Sequence, residues 1–194
     1  MAIPPALSIT DLAALGAEKR ERAAKASEIE REVVELFDQN RDAILRYALS
    51  FGVPAHDGEE VAQEVFLALF QHLRQGKSRQ SLRGWIFRVA HNLALKKRHA
   101  NQRTLAKMES DENCVAELID PAPNPEERVL IGQRSERLMA IVRALPEQDR
   151  FCLDLRAEGL RYREIAQVLG MSLGSVSMSL TRSLSRLVAD EQSR

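Results

Sequence analysis

Between Gln71 and Lys107 the sequence carries ten basic side chains, Arg74, Lys77, Arg79, Arg83, Arg88, Lys96, Lys97, Arg98, Arg103 and Lys107, and no Asp or Glu. Guanidinium and ammonium groups at this density neutralise phosphates, the term that dominates nucleic-acid affinity. Trp85 lies in the same interval, and a ring beside positive charge suits a strand whose bases are unstacked. A second set sits near the carboxy terminus, where helical geometry turns Ser175, Met178, Ser179, Arg182 and Arg186 outward. Serine hydroxyls can donate to phosphates or base edges but discriminate little between bases. Catalysis is not expected: no Ser/His/Asp, Cys/His or paired-carboxylate arrangement stands out, and no glycine loop cradles a phosphate. Cys114 and Cys152 are far apart, and His56, His72, His91 and His99 form no ligand-like cluster. No zinc site and no cofactor are expected.

The elements that must hold these groups are helices. Ala, Leu, Arg, Glu and Gln are abundant, they are good helix formers, and the expected fold class is all-α. Ser27-Glu28-Ile29-Glu30 has the spacing of a capping box, which opens a helix whose apolar stripe is Val33, Val34, Phe37, Ile44, Leu45, Ala48 and Phe51. A second box, Asp57-Gly58-Glu59-Glu60, opens a helix with Val61, Val65, Leu69 and Leu73 every four residues and Phe66 and Phe70 alongside. A third helix is expected from Leu82 to about Arg103, buried through Leu82, Trp85, Ile86, Val89, Ala90 and Leu93. The stretch 108–127 then holds seven acids, Glu109, Asp111, Glu112, Glu117, Asp120, Glu126 and Glu127, with three prolines and no base. Like charge and proline both oppose compaction, so it reads as a linker. The net charge of zero is therefore a sum of opposed blocks.

Asn124-Pro125-Glu126-Glu127 restarts helix, with an N-cap and a proline at the first position. A further helix opens after Leu145-Pro146 and stops at Gly159, and a helix-turn-helix comes last. In it Ala166 is small where two helices cross, Gly170 supplies the turn and Ser172 caps the second helix, with Val176, Leu180, Leu184 and Leu187 facing inward. The expected division is an amino-terminal extension (1–26), a helical domain (27–107), the acidic linker (108–125) and a helix-turn-helix domain (126–194). No apolar run is long enough to span a bilayer and the amino terminus lacks the pattern of a signal peptide, which makes a cytoplasmic protein the expectation.

From about Glu35 to Leu187 these segments resemble a bacterial sigma factor of the extracytoplasmic-function type, in the sigma-70 family. The carriers are "DGEEVAQEVFLALF", "SLRGWIFRVAHNLALKKRH" and "LPEQDRFCLDLRAEGLRYREIAQVLGMSLGSVSMSLTRSL", in that order. The resemblance implies that Asp57, Glu60, Gln63, Glu64 and Phe66 dock on the β′ clamp helices of core RNA polymerase, with the β subunit also a partner. It implies that Gly76, Lys77, Ser78 and Arg79 cup an unstacked base of the −10 element. Arg83, Arg88 and Asn92 would follow the non-template strand, with Trp85, Lys96, Lys97 and Arg98 of the same helix also assigned to the −10 element. It assigns the −35 element to Ser172, Ser175, Ser177, Met178, Ser179, Arg182 and Arg186, although family recognition helices usually carry basic residues at the positions of Ser177 and Ser179. Promoter DNA and an anti-sigma protein are the further partners implied, with no membrane insertion. Two other readings stand beside it: a helix-turn-helix regulator that reads paired half-sites as a dimer, and a sigma-like adaptor that has largely lost DNA reading.

Overall fold

A computed structural model describes residues 9–108 and 138–192, and among the described residues every regular element is an α-helix. Helix α1 spans Ile9–Ser50, α2 spans Ala55–Arg74 and α3 spans Leu82–Met108. Residues 138–143 are the described part of α4. They are followed by α5 (Glu147–Ala157), α6 (Tyr162–Leu169) and α7 (Leu173–Gln192). The acidic stretch beyond Met108 and the helix start at Asn124-Pro125 lie outside the described residues.

Neither capping box opens a helix. Ser27 lies inside α1, where its carbonyl accepts from Arg31 Nε at 3.4 Å. The run Ala17 to Ala26 upstream is all strong helix formers, so nothing stops the helix there. Helix α2 begins two residues early, after Pro54, and the Gly58 N–H donates to the Pro54 carbonyl at 2.9 Å. Gly58 marks the closest approach of α1 and α2: a Cβ there would stand 2.8 Å from Leu45 Cδ1. The apolar stripes otherwise fold as their periods dictate. Ile44, Tyr47 and Ala48 of α1, Phe51 in the turn that follows it, Val61, Val65, Phe66, Leu69 and Leu73 of α2, and Ile86, Phe87 and Ala90 of α3 are all buried. Val34 is the exception at 58% exposed, since one residue past Val33 turns it about 100° off the stripe.

In the second half, Phe151, Cys152 and Leu155 of α5, Ile165 and Val168 of α6, and Val176 and Leu180 of α7 are buried. Gly170 takes φ 64°, ψ 29°, and the following amide of Met171 donates to the Ala166 carbonyl at 3.0 Å, which makes the tight turn of the expected helix-turn-helix. The Ser175 amide donates to Ser172 Oγ at 3.0 Å, the expected cap. Leu184, expected inward, is 52% exposed. The reason is helical phase: α7 turns Val176, Ser179, Leu180 and Ser183 inward, with Leu187 half-buried, and Leu184 lies about 100° round from Ser183.

The two halves share one core. Phe51 stacks on Phe151 with ring centroids 4.5 Å apart, and His91 meets Phe151 edge-on at 5.1 Å. Around these rings Arg46 forks onto the Glu158 carboxylate at 2.8 and 2.9 Å, and Arg83 donates to the Glu158 carbonyl at 2.5 Å. Arg98 donates to Glu147 at 2.5 Å and Ser81 Oγ to Glu164 at 3.1 Å.

Candidate nucleic-acid and polymerase interface

Helix α2 buries one face on α1 and α3, which leaves Glu60, Gln63, Glu64 and Leu67 exposed at i, i+3, i+4 and i+7. Asp57 and Phe66, expected on this face, are not on it. Phe66 is 6% exposed and meets Phe37 edge-on at 4.9 Å. Asp57 is 7% exposed, accepting from Asn101 Nδ2 at 2.7 Å and from Lys97 Nζ at 3.2 Å. The Asn101 amide, followed by Lys97, holds its carboxyl below the usual range against the opposing cost of burial. Helix α2 starts earlier than its box implies, so Asp57 lies within its first turn instead of capping it, and faces α3. Leu67, 60% exposed amid polar neighbours, was missed. Its distance from the Val61–Leu73 stripe was the available signal.

The basic block divides among three surroundings. Lys97 pairs with Asp57 and Glu60 across the α2–α3 seam. Arg83 and Arg98 turn toward the second half, Arg98 lying over the Phe51 ring and Arg83 over Phe87. Arg88, Asn92 and Lys96 form an exposed stripe at four-residue spacing along α3. The preceding loop leaves α2 at Gly76 and exposes Lys77, Ser78 and Arg79. It is held at Ser78, whose carbonyl lies 2.9 Å from His72 Nε2, so that nitrogen carries the proton. It is held again at Arg79, which donates to Glu32 from Nε at 3.1 Å and pairs through Nη2 at 3.0 Å. Trp85 is half-buried and packs on the His72 ring at 4.6 Å, in keeping with its place on the apolar stripe. Glu32 had no signal in the sequence, being 47 residues from Arg79.

On α7, Ser177, Met178, Thr181, Arg182, Ser185 and Arg186 line one open groove. Ser172 and Ser175 lie at its start, their hydroxyls 2.8 Å apart. Ser179 was expected outward but is 2% exposed, because α7 packs on α5 through it and through Ser183, whose hydroxyl donates to the Ser179 carbonyl at 2.8 Å. Arg182 is on the groove but tethered: Nε and Nη2 fork onto Asp149 at 3.0 and 2.7 Å. The Arg182 guanidinium draws the Asp149 carboxyl below its ordinary range. Thr181 and Ser185 were missed, although each follows a named groove residue by four or three positions.

Three comparisons bear on this geometry. The family model for Sigma-70 region 2 matches residues 36–104, and that for Sigma-70 region 4 matches residues 135–187. The ECF RNA polymerase sigma factor ShbA of Streptomyces griseus subsp. griseus is 35% identical over 140 residues, covering 71% of this chain and 73% of that protein. The probable RNA polymerase sigma factor RfaY of Xanthomonas campestris pv. campestris is 30% identical over 145 residues, 74% of this chain. The matched part spans only 36% of the length of RfaY. Among solved structures, CnrH in complex with the cytosolic domain of CnrY superposes with a TM-score of 0.58 at 23% identity, covering 89% of this chain and 95% of that one.

Proposed function

Because the chain belongs to the extracytoplasmic-function sigma factors of the sigma-70 family, we propose that it binds core RNA polymerase and directs promoter-specific initiation. The observation that carries this reading is the pair of stripes on the first half. One is acidic with an apolar end (Glu60, Gln63, Glu64, Leu67), and the other is basic and amide-bearing (Arg88, Asn92, Lys96). A regulator that never met polymerase would have no use for the first stripe. The second continues the Gly76–Arg79 loop, which would receive an unstacked base of the −10 element. Stabilising a separated strand by stacking and phosphate pairing offsets an unstacking cost of a few kcal/mol per base, with no bond made or broken. The chain therefore acts without catalysis, as a cytoplasmic binding protein. The α7 groove would contact the −35 element and, being mostly hydroxyl, set register more than affinity.

The division into reading units at 27–107 and 126–194 belongs to the same proposal, as does control by an anti-sigma protein. Among the described residues no helix is long and apolar enough to cross a membrane. The test is transcription by bacterial core polymerase on a pool of genomic fragments, with and without this chain, mapping the starts. Starts that require the chain and share a −10-like motif support the proposal. Failure to bind core polymerase would leave the regulator or adaptor reading in its place.

A further inference from the structure

The segment of α1 upstream of residue 36 lies outside the region 2 match, yet it is built into the fold. Ile29 is 3% exposed, and Val33 and Leu36 pack against the same core. The turn that carries Glu32 is thereby fixed, and Glu32 reaches the one loop of the first half that is assigned to a promoter base. That loop has both ends set by backbone. Gly76 and Ser81 each adopt positive φ, 67° and 52°, and Ser81 is further tied to Glu164 of α6. Between these ends the side chains of His72 and Glu32 grip it, at Ser78 and Arg79, and the Lys77 amide donates to the His72 carbonyl at 3.3 Å. Glu28, Arg31 and Glu35 stand beside Glu32 along the groove that Arg79 closes, so its α1 side carries three carboxylates against one guanidinium.

We propose that Glu32 is the positioning residue of the base-receiving loop: it clamps Arg79, so that the loop selects its base by shape rather than by free positive charge. The inference rests on the reading of 76–79 as a −10 contact. A fork that engages Nε and Nη2 fixes the plane of the guanidinium and points its remaining edge away from α1. The neighbouring carboxylates repel phosphate from the α1 side and so favour approach of the strand over the α3 stripe. An exposed ion pair of this type adds little to stability. Its effect is therefore expected in base selection and salt dependence rather than in folding.

The experiment uses the full chain with core polymerase on a promoter library randomised across the −10 element, for wild type, Glu32→Gln, Glu32→Ala, Arg79→Ala and the Glu32→Ala/Arg79→Ala double variant. Thermal melts confirm folding. Loss of Glu32 is expected to lower discrimination at one position of the element by about threefold or more, leaving the −35 preference unchanged. It should also raise binding to a scrambled single strand with a steeper salt slope, by about 0.7 in log–log terms for one freed cation. On the Arg79→Ala background, loss of Glu32 should add nothing, the signature of a pair that acts as a unit. The inference is overturned if Glu32→Ala keeps wild-type discrimination at every position, or if it lowers discrimination equally without Arg79. A wild-type library with no −10 preference would instead remove the reading on which the inference stands.

Discussion

His91 should make the joint between the two halves acid-sensitive. It is 8% exposed, with Nδ1 2.8 Å from the Tyr47 hydroxyl and its ring edge-on to the stacked Phe51 and Phe151 rings. Burial, helped by the nearby Arg98 charge and opposed by Glu147, pushes its pKa from 6.5 down to about 4. Because the folded value is the lower one, stability is fully present above the unfolded pKa and is lost as pH falls from about 6.5 toward about 4. At pH about 5 the unfolded chain holds the proton roughly thirty to one, while the folded chain is about one-tenth protonated. The difference is RT ln of about 30, or about 2 kcal/mol of stability lost relative to neutral pH. Asp57 and Asp149, whose pKa values are lowered from 3.8, are ionised in both the folded and the unfolded chain between pH about 7 and about 5, and add almost no slope there. Asp154, raised by burial, acts in the opposite direction, but equally in wild type and variant. Urea unfolding followed by circular dichroism, at pH about 7 and about 5, should therefore show wild type losing about 2 kcal/mol more than His91→Gln. Equal losses in the two proteins would refute the reasoning, because His91 would then be protonating inside the folded chain.

Four further outcomes follow from single positions. Gly170→Ala should cost about 1–2 kcal/mol in a urea titration, all of it backbone strain at φ 64°, because nothing lies within 4 Å of the added Cβ. Ser177→Lys should tighten binding to an upstream-element duplex and steepen its salt dependence by about one in log–log slope, read by fluorescence anisotropy. Ser179→Arg should lower the melting temperature instead, since Ser179 is 2% exposed beneath α5. Glu147→Gln should release Arg98 and raise single-strand affinity of the full chain by about two- to tenfold at low salt, measured with a labelled −10 oligonucleotide.

The helices were legible wherever a long apolar period ran without competition, as in Val61, Val65, Leu69 and Leu73. The turn at Gly170 and its cap at Ser172 were equally plain, because each depends on residues a few positions apart. The boxes at Ser27 and Asp57 misled for one reason. A short polar pattern specifies a helix start only if nothing upstream can also be helical, and in both places something could. Asp57 was then read as surface when its partners, Lys97 and Asn101, lie 40 and 44 residues away. Ser179 was misplaced because a serine on a helix gives no sign of burial until the neighbour it packs against is known.

The same limit governs the charge pattern. Along the chain ten bases stand without an acid, yet in space α1 answers with Glu32, α2 with Asp57 and Glu60, and α5 with Glu147, while Arg83 is met by the Glu158 backbone carbonyl in the turn after α5. The block is thus less a uniform basic surface than a graded one, with Arg88 and Lys96 presented and Arg83 and Arg98 held by the second half. Each cation that reaches a phosphate on a single strand contributes about 0.7 to the salt slope. Parting the halves would add Arg83 and Arg98, and so steepen the slope by about 1.4. That separation also exposes Phe51, Phe151 and His91, which are buried in the joined form. A factor that opens the halves must therefore supply apolar cover for the joint, and cations gained by the DNA site alone would not offset that loss. The balance favours the closed form until a large partner takes up both halves.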